Sequence, residues 1–392
     1  MLLALFVAAQ AAAPAAPTAG HELRGLWIVR TGLVSPEAVD RVVDDAAGGG
    51  LNALFVQVRG RGDAFYDSHL VARSPLLERQ PAGFDPLARL IERARARGLE
   101  VHAWINVLLA AHFSFLPEDN VVARHPGWLM VPKAAARTSL PSEPRGLLWL
   151  IREKSRGDGD VEGYYLSPSS PEAGAHLEDV VRELVRGYAV QGLHFDFIRY
   201  PGPDYDYSLA ALDAFRRQQG GASLLEGPVE RPAAWEAYRR ETLTALATRL
   251  SRAAREERAG LVVSAAVVPD RATALSQKFQ DWPGWLASGV LDAVCPMAYT
   301  PDSRIFREQI AEAGARTSRE QAVWAGIGAY RLSLAGVAER IVEARAAGAS
   351  GYVLFSHESL DGAALRLLRA QTPAPPPAGA RGSVGAPASL PR

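Results

Sequence analysis

The sequence predicts an α/β protein, a (β/α)8 TIM barrel with a long insertion after strand three. Three observations carry that expectation. Short apolar runs alternate with amphipathic stretches of helical length through most of the 392 residues. Eight of those runs are long enough to be main strands. They are also apolar almost without interruption, as parallel strands buried on both faces must be. A doubly wound open sheet is the competing architecture, but the first strand leads into no G-x-G-x-x-G turn and no G-x-x-x-x-G-K-[ST] occurs in the chain.

The elements follow in order. Arg24 to Val29 (RGLWIV) reads as the first strand, and Ser35-Pro36-Glu37 supplies a cap, a first-turn proline and a first-turn acid for a helix over Pro36 to Ala47. Leu51 to Val58 is the second strand. The spacing of Leu87, Leu90, Ile91 and Ala94 makes Phe84 to Arg97 helical, with Gly98 ending it. Glu100 to Asn106 is the third strand. Leu108 to Glu162 then breaks the rhythm, being long, rich in proline and charge, and holding Trp128 and Trp149; a loop of that length is usually functional or disordered. A short strand, Gly163 to Leu166, closes it, and a helix over Glu172 to Tyr188 leads into GLHFDFIRYP, Gly192 to Pro201. After this strand come a helix (Ala233 to Arg258), strands at Leu261 to Val267, Ala293 to Tyr299 and Ala322 to Gly328, a helix (Ala335 to Ala347) and a last strand, Gly351 to Ser356.

Composition narrows the function. The 43 basic side chains equal the 43 acidic ones, so no electrostatic argument favours nucleic acid or an anionic membrane. The start, MLLALFVAAQAAAPAAPTAG, has an apolar run too short to span a bilayer followed by small residues, a signal-peptide pattern that lacks a basic residue after Met1. Residues 1–20 are therefore expected to be a leader, 21–371 the barrel, and 372–392, rich in Pro, Ala and Gly with almost nothing to bury, a disordered tail. The single cysteine, Cys295, excludes an intrachain disulfide and stands too far downstream to carry a lipid anchor. The mature chain is expected to carry no membrane span.

In a barrel the chemistry belongs at the C-terminal rim of the strands. Reading only those positions gives Gln57, Arg59, Arg61 and Asp63 after strand two, Trp104 and Asn106 after strand three, and Asp196, Arg199 and Tyr200 after strand four. Asp270 follows strand five, Tyr299 and Asp302 strand six, and His357 and Glu358 strand eight. Sugars need this mixture, since their apolar faces stack on aromatic rings while their hydroxyls take polar contacts. Cleaving a glycosidic bond further requires one carboxyl to protonate the leaving oxygen and a second to attack or to activate water. Asp196 is the first candidate. Alternation puts His194, Asp196 and Ile198 on one face, Phe195 and Phe197 on the other, and a carboxylate set so deep in an apolar strand is costly unless paired. His194 reads as a packed, hydrogen-bonded core residue. Asp270, Asp302 and Glu358 also close strands, and each reads more readily as a cap or a solvated residue than as the second carboxylate; of these Glu358 has the best case, because the last strand lies near the lumen.

The stretches RGLWIVR, NALFVQVRGRGDAFYDS, VHAWIN, GLHFDFIRYP and VCPMAYT, in this order and spacing, resemble glycosyl-hydrolase-like family 10, bacterial TIM-barrel proteins associated with cell-wall glycans. The resemblance runs from about Arg24 to Leu360. It implies that Arg59, Asp63, Tyr66, Asn106, Asp196, Arg199, Tyr200 and Tyr299 belong to the family's polar rim, and it makes Asp63 the other candidate for the second carboxylate. It also implies export from a bacterial cell and a peptidoglycan-like polysaccharide as partner. The resulting expectation is a glycoside hydrolase acting without a cofactor or metal on an N-acetylhexosamine polymer. Asp196, Asp63 and Glu358 are its catalytic candidates; Arg59, Tyr66, Trp104, Asn106, Arg199, Tyr200 and Tyr299 are its sugar-binding ones. An acetamido group on the sugar can itself be the nucleophile, and then one acid suffices. Chitinase-like barrels of that kind carry a glutamate two residues beyond the strand-four aspartate, where this chain has Ile198. The alternative is a barrel that binds glycan without cleaving it. Metal catalysis finds no H-x-H at His102, and a serine hydrolase no G-x-S-x-G.

Overall fold

The computed structural model describes residues 22–372 apart from 137–142, 220–227, 229 and 319. The expected leader (1–20) and the tail beyond Thr372 lie outside the described residues. The parallel strands are β1 (Leu23–Ile28), β2 (Ala53–Arg59), β3 (Glu100–Asn106), β6 (Gly192–Asp196), β7 (Val262–Val267), β8 (Ala293–Pro296), β9 (Ala322–Gly328) and β10 (Gly351–Phe355). They close into a barrel in the order β1-β2-β3-β6-β7-β8-β9-β10, with β10 pairing back onto β1 through Leu23–Gly351 to Leu26–Leu354. The remaining two strands, β4 (Leu109–Ala111) and β5 (Tyr164–Tyr165), form a small antiparallel sheet between β3 and β6.

The helices begin where the sequence signals them. Ser35 accepts a hydrogen bond from Ala38 N to cap α1 (Pro36–Gly48), and Asp85 does the same with Ala88 N for α2 (Pro86–Ala96). The helix Pro171–Gly187 is capped by Ser170 through Ala173 N. In each case proline holds the first helical position, where its missing N–H costs nothing, and each cap contributes about 1 kcal/mol. Among the described residues no helix is long and apolar enough to cross a membrane.

Side chains pointing outward from the strands join the helices in a continuous core. Those pointing inward form their own cluster of Trp27, Ala53, Phe55, Trp104, Ala293, Cys295, Trp324 and Val353. Large rings fit into the lumen because glycines face them. A Cβ on Gly192 would stand 2.1 Å from Nδ1 of His102, one on Gly25 2.9 Å from Phe55, and one on Gly326 3.1 Å from Trp27. Such alternation of large and small residues fills a small barrel without voids. His194 lies in this packing, accepting a hydrogen bond from Trp27 Nε1 at 3.3 Å and meeting Ser264 Oγ at 2.9 Å through Nδ1.

Two strands stop several residues earlier than their sequences suggest, and β1 and β10 one residue earlier. β8 ends at Pro296. β6 ends at Asp196, because Phe197 takes φ +48°, a left-handed conformation costly for a bulky side chain. The turn breaks the alternation expected beyond Asp196: Phe197 swings to the mouth of the barrel, and Ile198 is buried in the outer core instead of facing the lumen.

Candidate active site

Asp196 is the last residue of β6, and it lines a cleft of about 270 Å3 at the C-terminal mouth of the barrel. Aromatic walls come from Trp27, Trp104, Phe197, Tyr299 and Phe355; polar groups come from Arg30, Gln57, Arg61, Asn106, Glu162 and Arg199. Asp196 is only 7% exposed. Its Oδ1 accepts hydrogen bonds from Phe197 N at 2.6 Å and Arg199 Nη1 at 2.8 Å, while Oδ2 takes none among the described residues. The tight turn at Phe197 therefore has a local function, since it aims the following amide back at the carboxylate. Burial alone would lower the Arg199 guanidinium, but the charge of Asp196, with Tyr165 and Glu162, outweighs it and holds Arg199 above the ordinary value. Arg199 also lies over the Phe197 ring, 4.2 Å from its centroid.

The wall opposite is a relay of amides. Asn106 Oδ1 accepts from Trp104 Nε1 at 2.9 Å and from Gln57 Nε2 at 3.4 Å, while its Nδ2 donates to Gly60 O at 2.7 Å. Gln57 Oε1 in turn accepts from the backbone and the side chain of Arg30, both at 3.3 Å. With its amide committed, Asn106 fixes the Trp104 ring. Tyr299 stacks on Phe355 (5.5 Å between centroids) and meets Trp27 edge-on at 6.3 Å. Burial, followed by Cys295 and Asp196, pushes its hydroxyl well above the usual tyrosine range, so it stays a neutral donor.

The carboxyl that joins Asp196 in the cleft is Glu162, which the reading of barrel-strand ends did not single out. It stands two residues before β5, and β5 is drawn onto β4 by pairing of Ala111 with Tyr164 and Leu109 with Tyr165. Gly163 permits the approach, since a Cβ there would lie 1.9 Å from Ala111 O. Glu162 is open to solvent at the mouth. Desolvation by the surrounding protein pushes its carboxyl up; Arg199, Arg61 and Arg30 oppose the push and Asp196 adds to it. The rise favours the protonated carboxyl.

The other sequence candidates divide. Trp104, Asn106, Arg199 and Tyr299 line the cleft with Asp196. Arg59 does not: the register slips between Gln57 and Arg59, so Arg59 pairs beside Ile105 on the outer face. There it is fully buried and donates to the Asn106 and Val107 carbonyls. Tyr66, 1% exposed, packs edge-on against Tyr188, and the fully buried Tyr200 against Phe279, so both brace the rim from behind. Neither candidate for the second carboxylate lines the cleft. Asp63 turns back to accept from Arg61 N at 2.9 Å, shaping the turn with Gly62 at φ +66°, and Glu358, in a short 3-10 turn, accepts from Thr31 Oγ1. Asp270 and Asp302 cap helices through Thr273 N and Ile305 N. Trp128 stacks on His125 at 3.9 Å and Trp149 points to solvent, so neither forms the cleft wall; Leu109 and Glu162 do.

A larger groove of about 990 Å3 runs along the flank between α2 and the helix Pro171–Gly187. It lies away from the strand ends, and two of its carboxylates hold the fold. Glu183 accepts from Ser68 Oγ at 2.5 Å and His69 N at 2.7 Å, and Asp85 accepts from Tyr188 Oη at 2.5 Å. Of the two, the mouth of the barrel is the better candidate, because there unspent polar groups converge on aromatic walls.

Solved structures share this architecture. The glycoside hydrolase domain of PgaB (BpsB) from Bordetella bronchiseptica superposes with a TM-score of 0.66 at 17% identity, covering 88% of this chain and 98% of that one. An α-L-fucosidase isoenzyme from Paenibacillus thiaminolyticus gives 0.60 at 16% identity, covering 88% of this chain and 48% of its own. Among sequences, the glycosyl hydrolase DigH of Escherichia coli K12 is 26% identical over 277 residues, 65% of this chain and 56% of DigH. The glycosyl hydrolase YngK of Bacillus subtilis is 29% identical over 200 residues, 46% of this chain and 34% of YngK. The chain thus spans about half or less of the length of these relatives. Residues 22–339, nearly the whole barrel, match one family throughout, and the chain belongs to the glycosyl hydrolase-like 10 family.

Proposed function

We propose that the cleft hydrolyses a glycosidic bond in an N-acetylhexosamine-containing polysaccharide, peptidoglycan foremost, and that the protein works outside the bacterial cytoplasm. The observation that carries this reading is the meeting of Glu162 and Asp196 in one aromatic-walled cleft, in environments that differ in kind. Glu162, whose carboxyl is pushed up, protonates the leaving oxygen. Asp196 faces the sugar with Oδ2 while Oδ1 is held by Arg199 and Phe197 N. It either attacks the anomeric carbon or steadies the water or acetamido group that does. Trp104 and Tyr299 offer stacking faces to the sugar, and Leu109 and Glu162 wall the cleft for a polymer.

A second reading, binding without cleavage, draws on the same ion pair: Arg199 neutralises Asp196, which suits a recognition site as well as a catalytic one. One experiment separates the two. Purified protein is incubated with intact and with peptide-stripped sacculi, and the soluble products are analysed by mass. Hydrolysis yields glycan fragments each heavier by one water than the residues they contain; glycan that is bound and recovered uncut supports recognition alone.

A further inference from the structure

Two guanidinium groups in the cleft have no role in the chemistry above. Arg30 and Arg61 both line it, and among the described residues neither forms a salt bridge. Arg30 Nη1 donates to Gln57 Oε1 at 3.3 Å, and the Arg61 side chain makes no hydrogen bond among the described residues. The two repel each other: after burial, Arg61 is the next cause lowering the Arg30 pKa. His112 reports the same positive field, held down first by burial and then by Arg61 and Arg30. Three carboxylates face Arg30, namely Asp63, Glu358 and Glu162. Asp63 Oδ1 is taken by the Arg61 backbone and Glu358 Oε1 by Thr31, and Glu162 is the proton donor of the proposed reaction.

Both arginines are built into place. The Arg30 stem runs where a Gly60 side chain would be, since a Cβ there would lie 3.0 Å from Arg30 Cδ and 3.4 Å from its Nη1. Its backbone is tied to Gln57, which is braced by Asn106. Arg61 is pinned through its N by Asp63 at 2.9 Å and through its O by Asn120 Nδ2 at 3.0 Å. Like charges held in one cleft cost free energy until an anion arrives, and a planar fork of N–H groups fits a carboxylate. The three neighbouring carboxylates disfavour a dianion such as a phosphate monoester.

We infer that Arg30 and Arg61 form a subsite for a carboxylate carried by the glycan, on the sugar ring or on an ether-linked side chain, so that the polymer is acidic rather than neutral. The inference rests on the proposed glycan reading and narrows its substrate class. The test uses the full chain and four oligosaccharides of equal length: peptide-free glycan from peptidoglycan, its methyl ester, a neutral chitooligosaccharide and an oligouronate. Calorimetric titration reads Kd, and release of reducing ends reads kcat/KM. The free acid is expected to bind roughly ten- to hundred-fold more tightly than its ester. R30Q and R61Q should each bring that ratio toward one, and raising salt should narrow it. Tighter binding of the oligouronate than of the ether-linked acid places the carboxylate on the ring; the reverse places it on the side chain. Equal affinity for acid and ester, or a ratio that survives both substitutions in proteins that melt as the parent does, overturns the inference. A binding preference without turnover of any glycan upholds it and removes the hydrolase reading; turnover without preference does the reverse.

Discussion

At the scale of single residues, the proposed hydrolysis gives the two cleft carboxyls different roles, Glu162 as the acid and Asp196 as the group that faces the anomeric carbon. A general acid must be protonated to act, so activity should fall as pH rises through the pKa of Glu162. Because desolvation by the surrounding cleft raises that pKa, the alkaline limb of the pH–rate profile should lie above the ordinary glutamate range. Glu162→Gln should cost about 10²- to 10⁴-fold in kcat and remove that limb, as kcat/KM measured across pH would reveal. A limb that persists in the variant would assign it to another group. The place of Asp196 at the mouth was legible in the sequence because a carboxylate closing an apolar barrel strand falls at the rim, and its partner Arg199 stands only three residues on. That of Glu162 was not: the short strand after it is expected from the sequence, but its pairing with Leu109 and Ala111, which brings Glu162 to the mouth, is a long-range contact that VEGYYL does not announce. Arg59 reads from the sequence as a sugar-binding rim residue, but the register slip that turns it from the lumen is set by the pairing with β3 and leaves no mark in VQVRGR.

At the scale of elements, all eight barrel strands appear close to where their apolar runs stand, because burial on both faces leaves little room for polar residues. Their ends were harder to read. The left-handed Phe197 occurs without a glycine or asparagine to announce it, and it determines both the end of β6 and the face that Phe197 presents. Packing inside the strands gives a sharper test of the barrel than their boundaries do. Gly192→Ala would press a methyl group against the His102 ring, which is itself stacked on Phe55 at 4.6 Å. We expect a loss of about 1–3 kcal/mol in urea unfolding, the usual cost of overpacking. A neutral effect would mean that the lumen is packed more loosely than described.

At the scale of the whole molecule, the fold should be sensitive to acid through histidines it holds neutral. His194 is fully buried and its pKa is lowered well below 6.5, by burial and then by His102; His176 is lowered to about 4, by burial and then by Arg59. In both, the folded pKa lies below the unfolded one. Their stabilising contribution is therefore complete above about pH 6.5 and is lost as pH falls toward and through the folded values. Stability should decline between pH 6.5 and about 4, by up to about 1.4 kcal/mol per pH unit for each histidine. His194→Gln should lower the urea midpoint at pH 7, yet flatten its further decline on acidification. An unchanged slope would show that His194 titrates in the fold as it does in the unfolded chain.

The most direct measurement is the release of soluble glycan from peptide-stripped sacculi by the parent protein and by Asp196→Asn, with thermal melting recorded for both. The amide keeps an acceptor for Phe197 N and for Arg199 but removes the negative charge that the reaction needs. The expected result is fragments from the parent and none above background from a variant that still melts cooperatively. Equal release by the two proteins, or no release by a parent protein that binds the same glycan, would contradict a hydrolytic cleft centred on Asp196.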